Sequence, residues 1–84
     1  NLGSQRRLIM FLVWFDDSKK VTTEEKIKNA IERYVERMGQ HPNVCLVNKE
    51  DANVKVEGIS IHAVDYVRPG YYWVGIEDET QQAA

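Results

Sequence analysis

Leu8-Ile9-Met10-Phe11-Leu12-Val13-Trp14-Phe15 runs without a polar residue and stops at Asp16-Asp17. Its reading decides the fold. In an extended chain, side chains alternate between faces, so Leu8, Met10, Leu12 and Trp14 share one side and Ile9, Phe11, Val13 and Phe15 the other. Both sides are apolar. The run is rich in Phe, Val, Ile and Trp and too short for a typical helix, which predicts a strand in the middle of a sheet, buried on both faces and ended by charge.

The next segment carries helix signals. Thr22 and Glu25 have the spacing of a capping box, in which hydroxyl and carboxylate satisfy free backbone N–H groups at a helix start. Ile27, Ala30, Ile31, Tyr34, Val35 and Met38 then fall on one stripe of a 3.6-residue period. Lys28, Glu32, Arg33, Glu36 and Arg37 lie opposite, and Gly39 can take the left-handed conformation that ends a helix. Beyond Gln40-His41-Pro42-Asn43, the apolar run Val44-Cys45-Leu46-Val47 predicts a second buried strand. Strand, helix, strand with short connections implies a crossover that sets the second strand parallel to the first, the helix covering one sheet face.

Asn48 to Gly58 reads either as a long loop or as a loop with a short edge strand turning at Glu57-Gly58. Ile59 to Val67 alternates, with Ile59, Ile61, Ala63 and Val67 on one face and Ser60, His62, Val64 and Tyr66 on the other, predicting a half-exposed strand. Pro69-Gly70 suits the centre of a type II turn, after which Tyr71-Tyr72-Trp73-Val74-Gly75-Ile76 returns as an antiparallel strand. The expected fold is α+β, of order β-α-β-β(-β), with one amphipathic helix on a mixed, mostly four-stranded sheet. It forms a single small domain over residues 1–84, whose ends, 1–6 and 79–84, are expected to be disordered or cloning remnants.

Composition narrows the function classes. A chain of 84 residues with 43% hydrophobic and 29% charged residues is ordinary for a globular domain, but at this size it buries only roughly 60–65% of its unfolded surface. Net charge is −2 and the basic residues are scattered, which argues against nucleic acid. Cys45 is the single cysteine, which excludes an internal disulfide and fits the cytoplasm. No apolar run reaches the ~20 residues of a membrane helix, so no membrane partner is expected.

No motif specifies a chemistry, and no cofactor is implied. The parallel crossover would gather Asp16, Asp17 and Asp51 at one sheet edge, where clustered carboxylates could hold a divalent cation, with Lys49 as an anion contact; the alternative function this implies is a small divalent-metal-dependent enzyme or a binder of phosphate-containing ligands. An apolar strand ending in Asp-Asp resembles the opening of phosphoacceptor receiver domains. The chain is too short for their five βα units, and no residue role carries over. Asp and Asn are also common turn formers. His62 and His41 have no partner at metal-ligand spacing, and His62 and Arg68 stand as ligand-binding candidates only. Tyr71, Trp73 and Arg68 could stack on a single nucleic-acid strand, but Asp65, Glu77, Asp78 and Glu79 would repel phosphates.

The aromatics point instead to a protein interface, where Trp, Tyr and Arg most often anchor binding. One helix covers one face of the sheet, while the first strand is apolar on both. Each large side chain left bare forfeits about 1.5–3 kcal/mol. The expectation is a non-enzymatic interaction module, a homodimer or a domain docked on a larger protein, with Met10, Leu12, Trp14, Tyr71 and Trp73 at the interface. A hairpin folded over the second face is the alternative cover.

Overall fold

The computed structural model describes residues 11–77. Met10 and the chain ends therefore lie outside the described residues. The elements, in order, are β1 (Phe11–Phe15), α1 (Thr23–Met38), β2 (Val44–Val47), a 3-10 turn (Lys49–Asp51), β3 (Ser60–Ala63) and β4 (Tyr71–Gly75). They form the expected α+β fold, one helix on a mixed four-stranded sheet, with strand order β1-β4-β2-β3.

The helix begins and ends where its signals lie. Thr22 caps it by accepting the Glu25 amide on its hydroxyl at 3.1 Å, and Gly39 closes it at φ +74°, donating to Val35. Ile27, Ala30, Ile31 and Tyr34 face the sheet and are buried. Val35 departs from the expected stripe and is exposed, because one residue beyond Tyr34 is a rotation of about 100° away from the sheet.

The position of β1 overturns the central reading of its sequence. β4 pairs antiparallel with both β1 and β2, so β1 and β2 are parallel in direction, as the crossover implies, yet β4 lies between them. The centre of the sheet belongs to β2 and β4, and β1 is an edge strand. Its Leu12 and Trp14 pack against the core beneath the helix, whereas Val13 and Phe15 remain about half exposed. The double-sided apolarity marks an uncovered face rather than a central position.

The expected hairpin is also corrected. β3 pairs parallel with β2, and β2 separates it from β4. The Pro69-Gly70 turn itself forms, with Gly70 at φ +87° and Tyr71 donating to the Arg68 carbonyl at 3.1 Å. It closes an arch over the end of β2. β3 stops at Ala63 instead of running to Val67, because the chain must leave the ladder to cross β2. Asn48 pins that arch by donating a hydrogen bond from its side-chain amide to the Val67 carbonyl at 2.9 Å.

Between β2 and β3, the 3-10 turn leads into a loop whose only ladder contact is a bridge from Val56 to Ile59 around the Glu57-Gly58 turn. Val56 is buried in the same core cluster as Cys45 and Val47, and Val54 and Ile59 pack against that cluster. The loop thus covers the part of the sheet that α1 does not reach.

Candidate functional site

Strand register assigns every sheet residue to a face. Leu12 pairs with Val74, Trp14 with Tyr72, and Cys45 with Val74; all of these belong to or border the core under α1. The intervening residues form the opposite face. Across it runs the row Val13, Trp73, Leu46, His62, taken from consecutive strand partners. Phe15 and Tyr71 form a second row, with ring centroids 4.7 Å apart. Phe11 adds a ring 6.2 Å from Trp73. No lysine, arginine or carboxylate stands among these positions.

This face is partly closed from one end. The arch between β3 and β4 lays Tyr66 on Trp73 at 5.5 Å, and Val44 and Val67 are buried. Tyr66 itself is 65% exposed, Phe15 52% and Val13 49%. Tilted aromatic contacts of this kind stabilise a pair by about 0.5–1.5 kcal/mol beyond burial, so the rings hold one another in place while still meeting solvent.

Of the residues expected at an interface, Tyr71 and Trp73 lie on this open face. Leu12 and Trp14 lie on the other, under the helix. Arg33 reaches over the Trp14 ring, its guanidinium carbon 5.3 Å from the centroid, a cation–π contact. Phe11, Val13, Phe15 and Leu46 share the face with Trp73, and sequence reasoning left them aside. Alternation could not choose between the two sets, since both are apolar; only the pairing with β4 decides.

The carboxylates at the strand ends are drawn into backbone contacts. Asp16 accepts the Ser18 amide at 2.9 Å, an Asx turn leaving β1. Asp51 accepts the Gly70 amide at 3.1 Å. Asp17 and Lys49 are exposed. Among the described residues, no group of three or more His, Cys, Asp or Glu is placed to hold a metal ion. His62 and Arg68 are exposed, His62 at the β3 end of the open face and Arg68 in the arch.

Asp16 and Asp51 do converge electrostatically on one group. The Tyr72 side chain is fully buried, and its hydroxyl has no hydrogen-bond partner of good geometry, although the Thr23 side chain lies near enough to favour the phenolate. Burial pushes the phenol up to about 12, with the Asp51 charge adding to the effect and Asp16 contributing less. Burial also pushes the Cys45 thiol up to about 12, which keeps it protonated and unreactive. A shallow groove beside β3, lined by Val54, Val56, Ile59 and Ile61 with Lys55 and Glu57 at its margin, gathers no titratable cluster.

No protein-family model, curated protein or solved structure matches the chain. Among the described residues no helix is long and apolar enough to cross a membrane.

Proposed function

We propose that the chain is a small protein-interaction module that self-associates through its open sheet face. The observation that carries this reading is the charge-free row Val13-Trp73-Leu46, flanked by Phe11 and by the Phe15–Tyr71 pair and uncovered by α1. Aromatic and aliphatic side chains held rigid in a sheet lose little conformational freedom on docking, the circumstance in which burial yields affinity. A second copy is the simplest cover, since twofold dimers are the commonest assemblies and need only one self-complementary patch.

Binding rather than catalysis is favoured because, His62 at the β3 end apart, this face presents rings and alkyl groups and no lysine, arginine or carboxylate. The same absence of cations disfavours single-stranded nucleic acid, whose affinity rests on phosphate contacts. The lone, buried Cys45 is compatible with a reducing cytoplasm.

Sedimentation equilibrium at micromolar concentration tests the reading. The unmodified chain is expected to sediment as a dimer, and the double substitution Val13→Glu/Phe15→Glu to give a folded monomer. A wild-type monomer at all concentrations defeats it.

A further inference from the structure

The β1 edge offers a second surface, independent of the open face. In an antiparallel ladder, successive residues turn their N–H and C=O groups alternately toward and away from the partner strand. Asp16 donates to the Gly70 carbonyl at 2.9 Å, which fixes the phase: Leu12 and Trp14 bond to β4, while the backbone groups of Phe11, Val13 and Phe15 point outward. Among the described residues, no strand lies beyond them. Edge strands are normally blunted by charge, proline or a bulge. Phe11–Phe15 has no charge and no proline, and its five residues pair one to one with β4. By contrast β3, the other edge, is Ser60-Ile61-His62-Ala63, shorter and more polar.

What lies above this edge gives it a sign. Arg33 over Trp14 identifies the flank of α1 that overhangs β1. At about 100° per residue, Lys26 and Arg37 lie on the same flank as Arg33, seven positions before it and four after. The carboxylate nearest to Arg33 is Glu36, at 3.8 Å in a half-exposed, salt-screened pair; it lies further round the helix, away from the sheet. Glu24 is occupied with Lys28 on the other side. The strip above the unpaired edge is therefore basic, and among the described residues the opposing carboxylates are Asp16 and Asp17, just beyond the end of β1.

We propose that the outer edge of β1 is a strand-addition site for an extended acidic segment of another protein. Strand addition draws affinity from main-chain hydrogen bonds and specificity from alternate side chains. Here one set of the incoming side chains would extend the apolar row of Phe11, Val13 and Phe15, and the other would meet Lys26, Arg33 and Arg37. A segment alternating acidic and aliphatic residues satisfies both. A second β1 does not, because twofold pairing at this edge would set two basic helix flanks against each other.

The probe is a capped peptide of about eight residues alternating glutamate and valine, the length of a short strand, titrated into the isotope-labelled chain. Saturable binding is expected, with slowed amide exchange at Phe11, Val13 and Phe15 and weakening as salt is raised. The matched lysine–valine peptide should not bind. Lys26→Glu/Arg37→Glu, which leaves the Arg33–Trp14 contact in place, is expected to weaken the acidic peptide by about tenfold or more, from two reversed charge contacts at the rim. The proposal fails if the outer amides stay unprotected, if both peptides bind alike, or if shifts are confined to Tyr71 and Trp73. It also fails if those amides become protected by raising protein concentration alone, which would assign the edge to a second copy. Self-association through the open face is read separately, from the sedimentation of the unliganded chain.

Discussion

The Asp51 carboxylate receives the Gly70 amide at 3.1 Å, tying the turn that leaves β2 to the turn that enters β4. Gly70 also gives its carbonyl to Asp16, so one glycine joins the segments following β1 and β2 at the entry to the central strand. Removing the acceptor by Asp51→Ala is expected to destabilise the fold by about 1–2 kcal/mol, the lower range for a charge-assisted bond in a partly exposed position. Asp51→Asn, which keeps an acceptor oxygen, should lose less. Urea denaturation of both variants measures the difference.

Gly70 is also constrained by its own geometry. At φ +87°, an added Cβ would sit 3.3 Å from the Phe15 ring, so Gly70→Ala combines left-handed strain with crowding. A loss of about 2 kcal/mol is expected. Gly39→Ala shares the positive φ but meets nothing within 4 Å, and should cost about 1 kcal/mol. Thermal melts of the pair separate strain from contact.

The Tyr72 hydroxyl is buried without a well-formed partner. A hydroxyl in that state has lost water and gained little in return, so Tyr72→Phe is expected to be neutral or stabilising by up to about 1 kcal/mol. A loss greater than that in chemical denaturation would mean that the Thr23 contact is a full hydrogen bond.

Alkaline pH should unfold the chain through two buried acids. Below pH 9 both Cys45 and Tyr72 are protonated in either state, and their contribution is complete. Above 9.0 for the thiol and 10.0 for the phenol, the unfolded chain releases its protons while the folded one holds them to about 12. Stability then falls as pH rises, by at most about 1.4 kcal/mol per unit for each group. Cys45→Ala should flatten the earlier part of that decline, as read by denaturation midpoints from pH 8 to 11.

Local chemistry was legible in the sequence, and spatial order was not. Thr22, Glu25 and Gly39 announce α1 because capping involves groups within a few residues of each other, and Pro69-Gly70 announces its turn for the same reason. The place of β1 depends on a pairing with β4 across most of the chain, and nothing within Leu8 to Asp17 encodes it. Two apolar sides are equally compatible with a central strand and with an edge strand beside a bare sheet face. The acidic strand ends show the same limit: the charges of Asp51 and Asp16 both act on Tyr72, and each carboxylate accepts a backbone amide, contacts that no spacing in the sequence announces.

The last of the described strands lies between β1 and β2 in the sheet. Until Tyr71–Gly75 is present, β1 and β2 have no common neighbour, and Phe11 must find Gly75 across a loop whose closure is entropically costly and slow. During synthesis, the stretch from Phe11 to Phe15 therefore waits unpaired while the rest of the chain is made. A chain truncated before Tyr71 would leave Phe11–Phe15 without its one partner strand among the described residues.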